Sequence, residues 1–166
     1  MDNCQLQVDL VLESGDGVKL GAHIKTLELF SNAFPIAGTV THNIDDTVKL
    51  TENSDILLLL LKYSHYDDHP DITDLGIDNV IAFMGAADKY GNYLAMSACR
   101  VAMRRSPTNA IKVIPYKIAH RDFAEIDDLV RSTMDLSTRT VLDATKYNPQ
   151  IYFTYVFITP YTIRMN

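Results

Sequence analysis

His65 and His69 flank Asp67 and Asp68, with Asp71 beyond, so imidazole and carboxylate groups of the kind that bind divalent metals crowd into one short stretch. Such a cluster could serve a zinc- or manganese-dependent enzyme. It lies, however, in a turn ending at Pro70, and its simpler reading is a solvated loop. His120-Arg121-Asp122 copies the opening of a protein-kinase catalytic loop. That loop needs an asparagine a few residues on to hold metal; Asp127 stands there instead, and the chain has neither a Gly-rich nucleotide loop nor Asp-Phe-Gly. Asp127 and Asp128 are adjacent, so on a helix they diverge by about 100° and do not face one substrate as a glycosidase pair does. His23 stands at a strand-to-helix corner with no second histidine or cysteine close in sequence, which suits a hydrogen-bonded packing residue. The sequence has no Gly-x-Ser-x-Gly elbow, His-Glu-x-x-His pair or Rossmann glycine fingerprint. The expectation is a non-enzyme with no catalytic residue, cofactor, metal or small-molecule substrate.

The elements that must position these residues begin with a strand, Val8 to Leu12, whose Val8, Leu10 and Leu12 share one face. The turn Ser14-Gly15-Asp16-Gly17 follows, with glycines suited to positive φ, and then a second strand from Val18 to Leu20. A phosphate loop is excluded because a strand, not a Gly-Lys-Ser/Thr helix start, comes after Gly17. The spacing predicts a helix over Ala22–Phe30, a polar loop over Thr39–Asp46 and a short strand over Thr47–Leu50. Asn53, Ser54 and Asp55 cap a helix to Lys62 whose leucine run covers nearly every face, the mark of a central buried helix.

Asp78 caps the next helix and Gly91 ends it in a left-handed cap; another runs from Tyr93 to Arg104, with Cys99 inward, until Ser106-Pro107 stops it. Thr108 begins a helix to Ala119 that contains Pro115, which should kink it or cost about 3 kcal/mol. Asp122 and Glu125 have capping-box spacing for a further helix to Ser132, and Ser137 starts one through Ala144. Ile151 to Tyr161 is rich in Tyr, Phe, Val, Ile and Thr and reads as a strand.

With 166 residues, 47% hydrophobic and 22% charged, the chain suits one globular core with a helical extension. Its net charge of −6 argues against nucleic acid as the main partner. Cys4 and Cys99 lack CxxC spacing and read as reduced thiols. The start, Met1-Asp2-Asn3-Cys4-Gln5, has no leader pattern, and the longest apolar run, Ile56–Leu61, falls far short of the ~20 residues that span a bilayer. An intracellular protein, cytoplasmic or nuclear and not membrane-bound, is the expectation.

Asp9-Leu10-Val11-Leu12 followed by Ala22-His23, Leu27, Ser31 and Phe34 closely resembles the start of a BTB/POZ domain. Val48-Lys49-Leu50 with Leu58 to Tyr63 resembles that family's third strand and central helix, and Ala87-Asp88-Lys89-Tyr90 with Leu94 and Cys99 its last helical pair. The matches fall in order over Val8 to Met103. With Asp16 and Gly17 in the hairpin and Leu29-Phe30-Ser31 after it, the chain is most similar to the BTB proteins of basidiomycete fungi.

The resemblance implies an α+β fold, a small mixed sheet with a cluster of helices, over 8–105; a helical extension over 106–146; and a divergent aromatic tail over 147–166. It further implies a protein-interaction module, a scaffold or adaptor that homodimerises through its first strand and first helix, carried over onto Leu10, Leu12, Leu27, Leu29 and Phe30. In some relatives such a domain recruits cullin-3 ubiquitin ligase through a hydrophobic-x-Glu motif, which Ile44-Asp45-Asp46 matches most nearly, with Ile44 and Asp46 as the contacts. In others it binds a transcriptional corepressor through an arginine that follows Ala-His and pairs with the strand aspartate. Here Asp9 is retained and Ile24 replaces the arginine, with Lys25 one place on. The tail differs from the charged, tryptophan-containing helix of the relatives.

Overall fold

The computed structural model describes residues 6–33, 47–66, 68–104, 109–123, 126–144, 149–150, 152–154 and 156–157. Phe34, Ile44, Asp46 and Asp67, and with them the cullin-type motif, lie outside the described residues. The architecture is α+β, and the chain divides into two compact units: Met1–Leu75 with Ala82–Val101, and Gly76–Ile81 with Ala102–Asn166.

The first unit is built on a three-stranded sheet of order β2-β1-β3, where β1 is Leu10–Glu13, β2 is Lys19–Ala22 and β3 is Thr47–Lys49. β1 and β2 are antiparallel, with Leu10 opposite Ala22 and Leu12 opposite Leu20; β3 runs parallel to β1, with Leu12 opposite Val48. The hairpin is held by Ser14, whose hydroxyl donates to the Val18 carbonyl and accepts from its N–H, both at 3.0 Å. Of the two glycines in the turn, only Gly17 has a positive φ, 82°. Gly15 serves close approach instead: a Cβ there would lie 2.6 Å from the Thr51 carbonyl oxygen.

The first strand begins later than expected. Val8 precedes β1, is 47% exposed, and lies against Gly21, so Leu10 and Leu12 alone carry the buried face. Helix α1 is Ile24–Phe30, two residues shorter at its start than the spacing predicts, because Ala22 is paired into β2 and His23 is the N-cap. Helix α2, Ser54–Lys62, buries Ile56, Leu57, Leu60 and Leu61, whereas Leu58 and Leu59 are half-buried. Its burial is therefore one-sided, and a leucine run that is apolar all round overstated it.

Helix α3, Ile77–Tyr90, starts before the expected cap, since Asp78 lies inside its first turn and the Gly76 carbonyl accepts from the Val80 N–H, but it ends as the sequence predicts. Gly91 has φ 66°, its N–H donates to Asp88, and the Asn92 N–H donates to Ala87, a complete Schellman cap. Asn92, fully buried, then caps helix α4, Tyr93–Arg104, by accepting from the Ala95 N–H at 3.0 Å, while its amide donates to Ser64 Oγ and the Tyr63 carbonyl.

In the second unit α5, Ala110–Ala119, packs on α6, Ile126–Arg131, and α7, Thr138–Ala144, around Val113, Ile114, Val130 and Val141. The helix runs on through Pro115. Ser137 caps α7 as expected, accepting from the Thr140 N–H. The described residues of the aromatic tail are helical, not extended: Thr154 donates its hydroxyl to the Gln150 carbonyl one turn back. Strand propensity describes fit to a pleated neighbour, and the described tail residues adopt helical backbone instead. No helix among the described residues is long and apolar enough to cross a membrane.

Candidate functional site

The residues around β1, the hairpin and α1 are organised by two carboxylates that each hold the start of a helix. Asp9 Oδ1 accepts from the Ile24 N–H at 2.8 Å, capping α1 from outside its own segment. Asp16 accepts from Ser54 twice, from the N–H at 2.9 Å and from the hydroxyl at 2.7 Å, at the start of α2. Hydrogen bonds from Ser14 and then Ser54 bring the Asp16 carboxyl down to about 2. Asp9 is thus committed to backbone, an arrangement that needs no arginine at position 24.

His23 is buried and its Nδ1 lies 2.8 Å from the Gln7 carbonyl oxygen; its ring meets that of His65 edge-on, with centroids 5.2 Å apart. His65 donates from Nδ1 to the Leu61 carbonyl at 2.8 Å and is also buried. His69 turns away to stack on Tyr63 at 5.0 Å, and the Asp71 carboxylate accepts from the Thr73 N–H. The metal-like cluster is therefore divided among three environments. Among the described residues no three His, Cys, Asp or Glu groups are placed to share a metal ion. Cys99 is fully buried, and burial pushes its thiol up to about 12.

His120-Arg121-Asp122 is the terminator of α5. Arg121 has φ 54°, its N–H donates to Ile118, and the Asp122 N–H donates to Lys117, which is a Schellman cap with arginine in the left-handed place. Asp122 also pairs with the Lys117 ammonium at 3.1 Å, and Glu125, the other member of the expected capping box, lies outside the described residues.

A polar group that no local pattern signals joins the loop before α2 to the end of α3. Glu52 accepts from Lys89 Nζ at 2.8 Å and from the Tyr90 hydroxyl at 2.6 Å. Burial alone would raise the Glu52 carboxyl, but the hydrogen bonds from Lys89 and Tyr90 outweigh it and hold it below the ordinary value. Burial, and then the bond to Glu52, pushes Tyr90 up to about 12.

Of the side chains expected to face a second copy, Leu10, Leu12 and Leu27 fill this unit's own core, at 7%, 0% and 1% exposure. Leu29, at 59%, and half-buried Phe30 are the ones that reach the surface. Phe30 meets the exposed ring of Tyr66 edge-on at 5.4 Å, which extends the aromatic surface beyond α1 to a residue that sequence spacing does not connect with it. Of the signature positions, Ala22, His23 and Ser31 are buried, and Gly17 sits at the tip of the turn. No family model matches the chain, and no curated protein matches it.

Proposed function

We propose that this chain is a non-catalytic protein-interaction module of the BTB/POZ type, a scaffold or adaptor that pairs with a second copy of itself through the outer side of α1. The observation that carries this reading is the surface formed by Leu29, Phe30 and Tyr66. Leu29 is 59% exposed on α1, and the Phe30 ring meets the exposed Tyr66 ring edge-on; exposed aliphatic and aromatic groups of this kind are costly to leave in water and supply the amphipathic contact that association surfaces favour. Leu27 anchors the same helix from beneath, and Asp9 fixes where the helix begins. The ordered matches from Val8 to Met103 support the same reading.

Light scattering and sedimentation on the purified chain test it. The expected result is a dimer at tens of micromolar that Leu29→Glu combined with Tyr66→Ala converts to a folded monomer. A wild-type chain that stays monomeric at that concentration overturns the pairing.

A further inference from the structure

We propose that the second unit binds a small monocarboxylate with an apolar body, seated in the cleft between the end of α5 and the helical residues of the tail, with Arg121 taking the carboxylate. The cleft measures about 700 Å³, and its wall includes Ile118, Arg121, Phe123, Phe153, Thr154 and Phe157. That volume lies in the range of small-molecule sites, which combine an apolar lining with a few polar groups that fix orientation. Phe123, Phe153 and Phe157 are 50%, 57% and 68% exposed, so three phenyl rings of one cleft are open to contact.

The charge at its edge comes from Arg121. Asp122, the nearest acid along the chain, is engaged by Lys117, and among the described residues the Arg121 guanidinium has no carboxylate partner. Arg121 also holds the left-handed φ of 54° that ends α5, where glycine carries no strain. A non-glycine residue kept at a strained position beside a cleft points to work done by its side chain. Guanidinium and three phenyl rings together select an anion that carries hydrocarbon: the carboxylate is held by charge-assisted hydrogen bonds and the body by the rings. The net charge of −6 opposes free anions in bulk, so the apolar body is needed for affinity.

The test uses the full chain with two soluble acids, octanoate and phenylbutyrate, each paired with its alcohol, octanol and phenylbutanol. Binding is followed by two-dimensional NMR and calorimetry. Both acids are expected to shift the amide resonances of Ile118, Phe123 and Thr154 and to bind more tightly than the alcohols. Arg121→Gly should weaken the acids by roughly tenfold, leave the alcohols unchanged and not lower the melting temperature, because glycine suits that backbone. Phe157→Ser, at an exposed position, should weaken acids and alcohols alike. The proposal is overturned by an absence of shifts at these residues at millimolar acid, or by acid binding that Arg121→Gly leaves intact. It is overturned equally if these variants alter the mass seen by light scattering and not ligand binding, which would make the cleft an interface between copies.

Discussion

Asp16, at the tip of the first hairpin, grips the first residue of α2 through two hydrogen bonds, 2.9 Å from the Ser54 nitrogen and 2.7 Å from its hydroxyl, although 38 residues separate the pair. The hairpin and the central helix are therefore one structural unit. Asp16→Asn removes the charge that complements the helix start and should lower the melting temperature at neutral pH. Because the folded carboxyl sits at about 2, below its ordinary 3.8, the stabilisation is complete above the ordinary value and disappears as pH falls through about 2. Wild-type and variant melting curves should converge over that window; a gap unchanged at pH 2 would sink the assignment.

Glu52 should matter more than its place in a loop suggests. Glu52→Ala removes the acceptor that the part-buried Tyr90 hydroxyl reaches at 2.6 Å, while the half-exposed Lys89 ammonium keeps Thr51 Oγ1, and the expected cost in urea denaturation is about 1–3 kcal/mol. Glu52 is held below its ordinary value and Lys89 above its own. The contribution is thus present from above the ordinary carboxylate range up to the ordinary lysine range. It fades as acid titrates Glu52 and as alkali titrates Lys89. The double-mutant cycle with Tyr90→Phe should show coupling.

Gly15→Ala should destabilise by about 1–3 kcal/mol, since its Cβ would press against the Thr51 carbonyl and backbone has to move. Gly85→Ala, inside α3 with open space around it, is the control and should not destabilise, since alanine is the better helix former. Equal effects in chemical denaturation would refute the close-approach role.

Leu27 and Leu29 stand two places apart on α1 and should separate folding from association. Leu27→Ala empties a fully buried site and should cost about 2–5 kcal/mol. Leu29→Ala should change monomer stability by less than about 0.5 kcal/mol while weakening self-association. A reversed pattern would remove α1 from the pairing surface.

Cys99 should resist alkylation in the native state, since it is fully buried and its thiol is pushed up to about 12. In a Cys4→Ser background, iodoacetamide labelling should be negligible at neutral pH and complete in denaturant. Fast native labelling would show that α4 opens locally.

Features written in short-range chemistry were legible before any coordinates. The hairpin at Ser14–Gly17, the left-handed end at Gly91 and the Ser137 cap each depend on a few consecutive residues, whereas the start of α2, signalled by Asn53-Ser54-Asp55, is held by Asp16 from 38 residues away. The apolar pattern also marked Leu10, Leu12 and Leu27 as important, but it does not distinguish a core residue from an interface residue. Both must leave water, and only the packing shows that these three leave it inside their own unit. The described tail residues are helical where propensity favours a strand for a related reason: propensity ranks side chains for a sheet without knowing whether a neighbouring strand exists.

The sequence by itself determined where the chain turns and alternates and where α3 ends, because those depend on torsional preference and local hydrogen bonding. Only the tertiary structure decided which partners the side chains take: Asp9 for Ile24, Asp16 for Ser54, Glu52 for Tyr90, Phe30 for Tyr66 and His23 for His65. These pairs are distant in sequence, and polar atoms leaving water accept whatever partner the fold brings within reach, so their identity is settled only when the chain closes on itself.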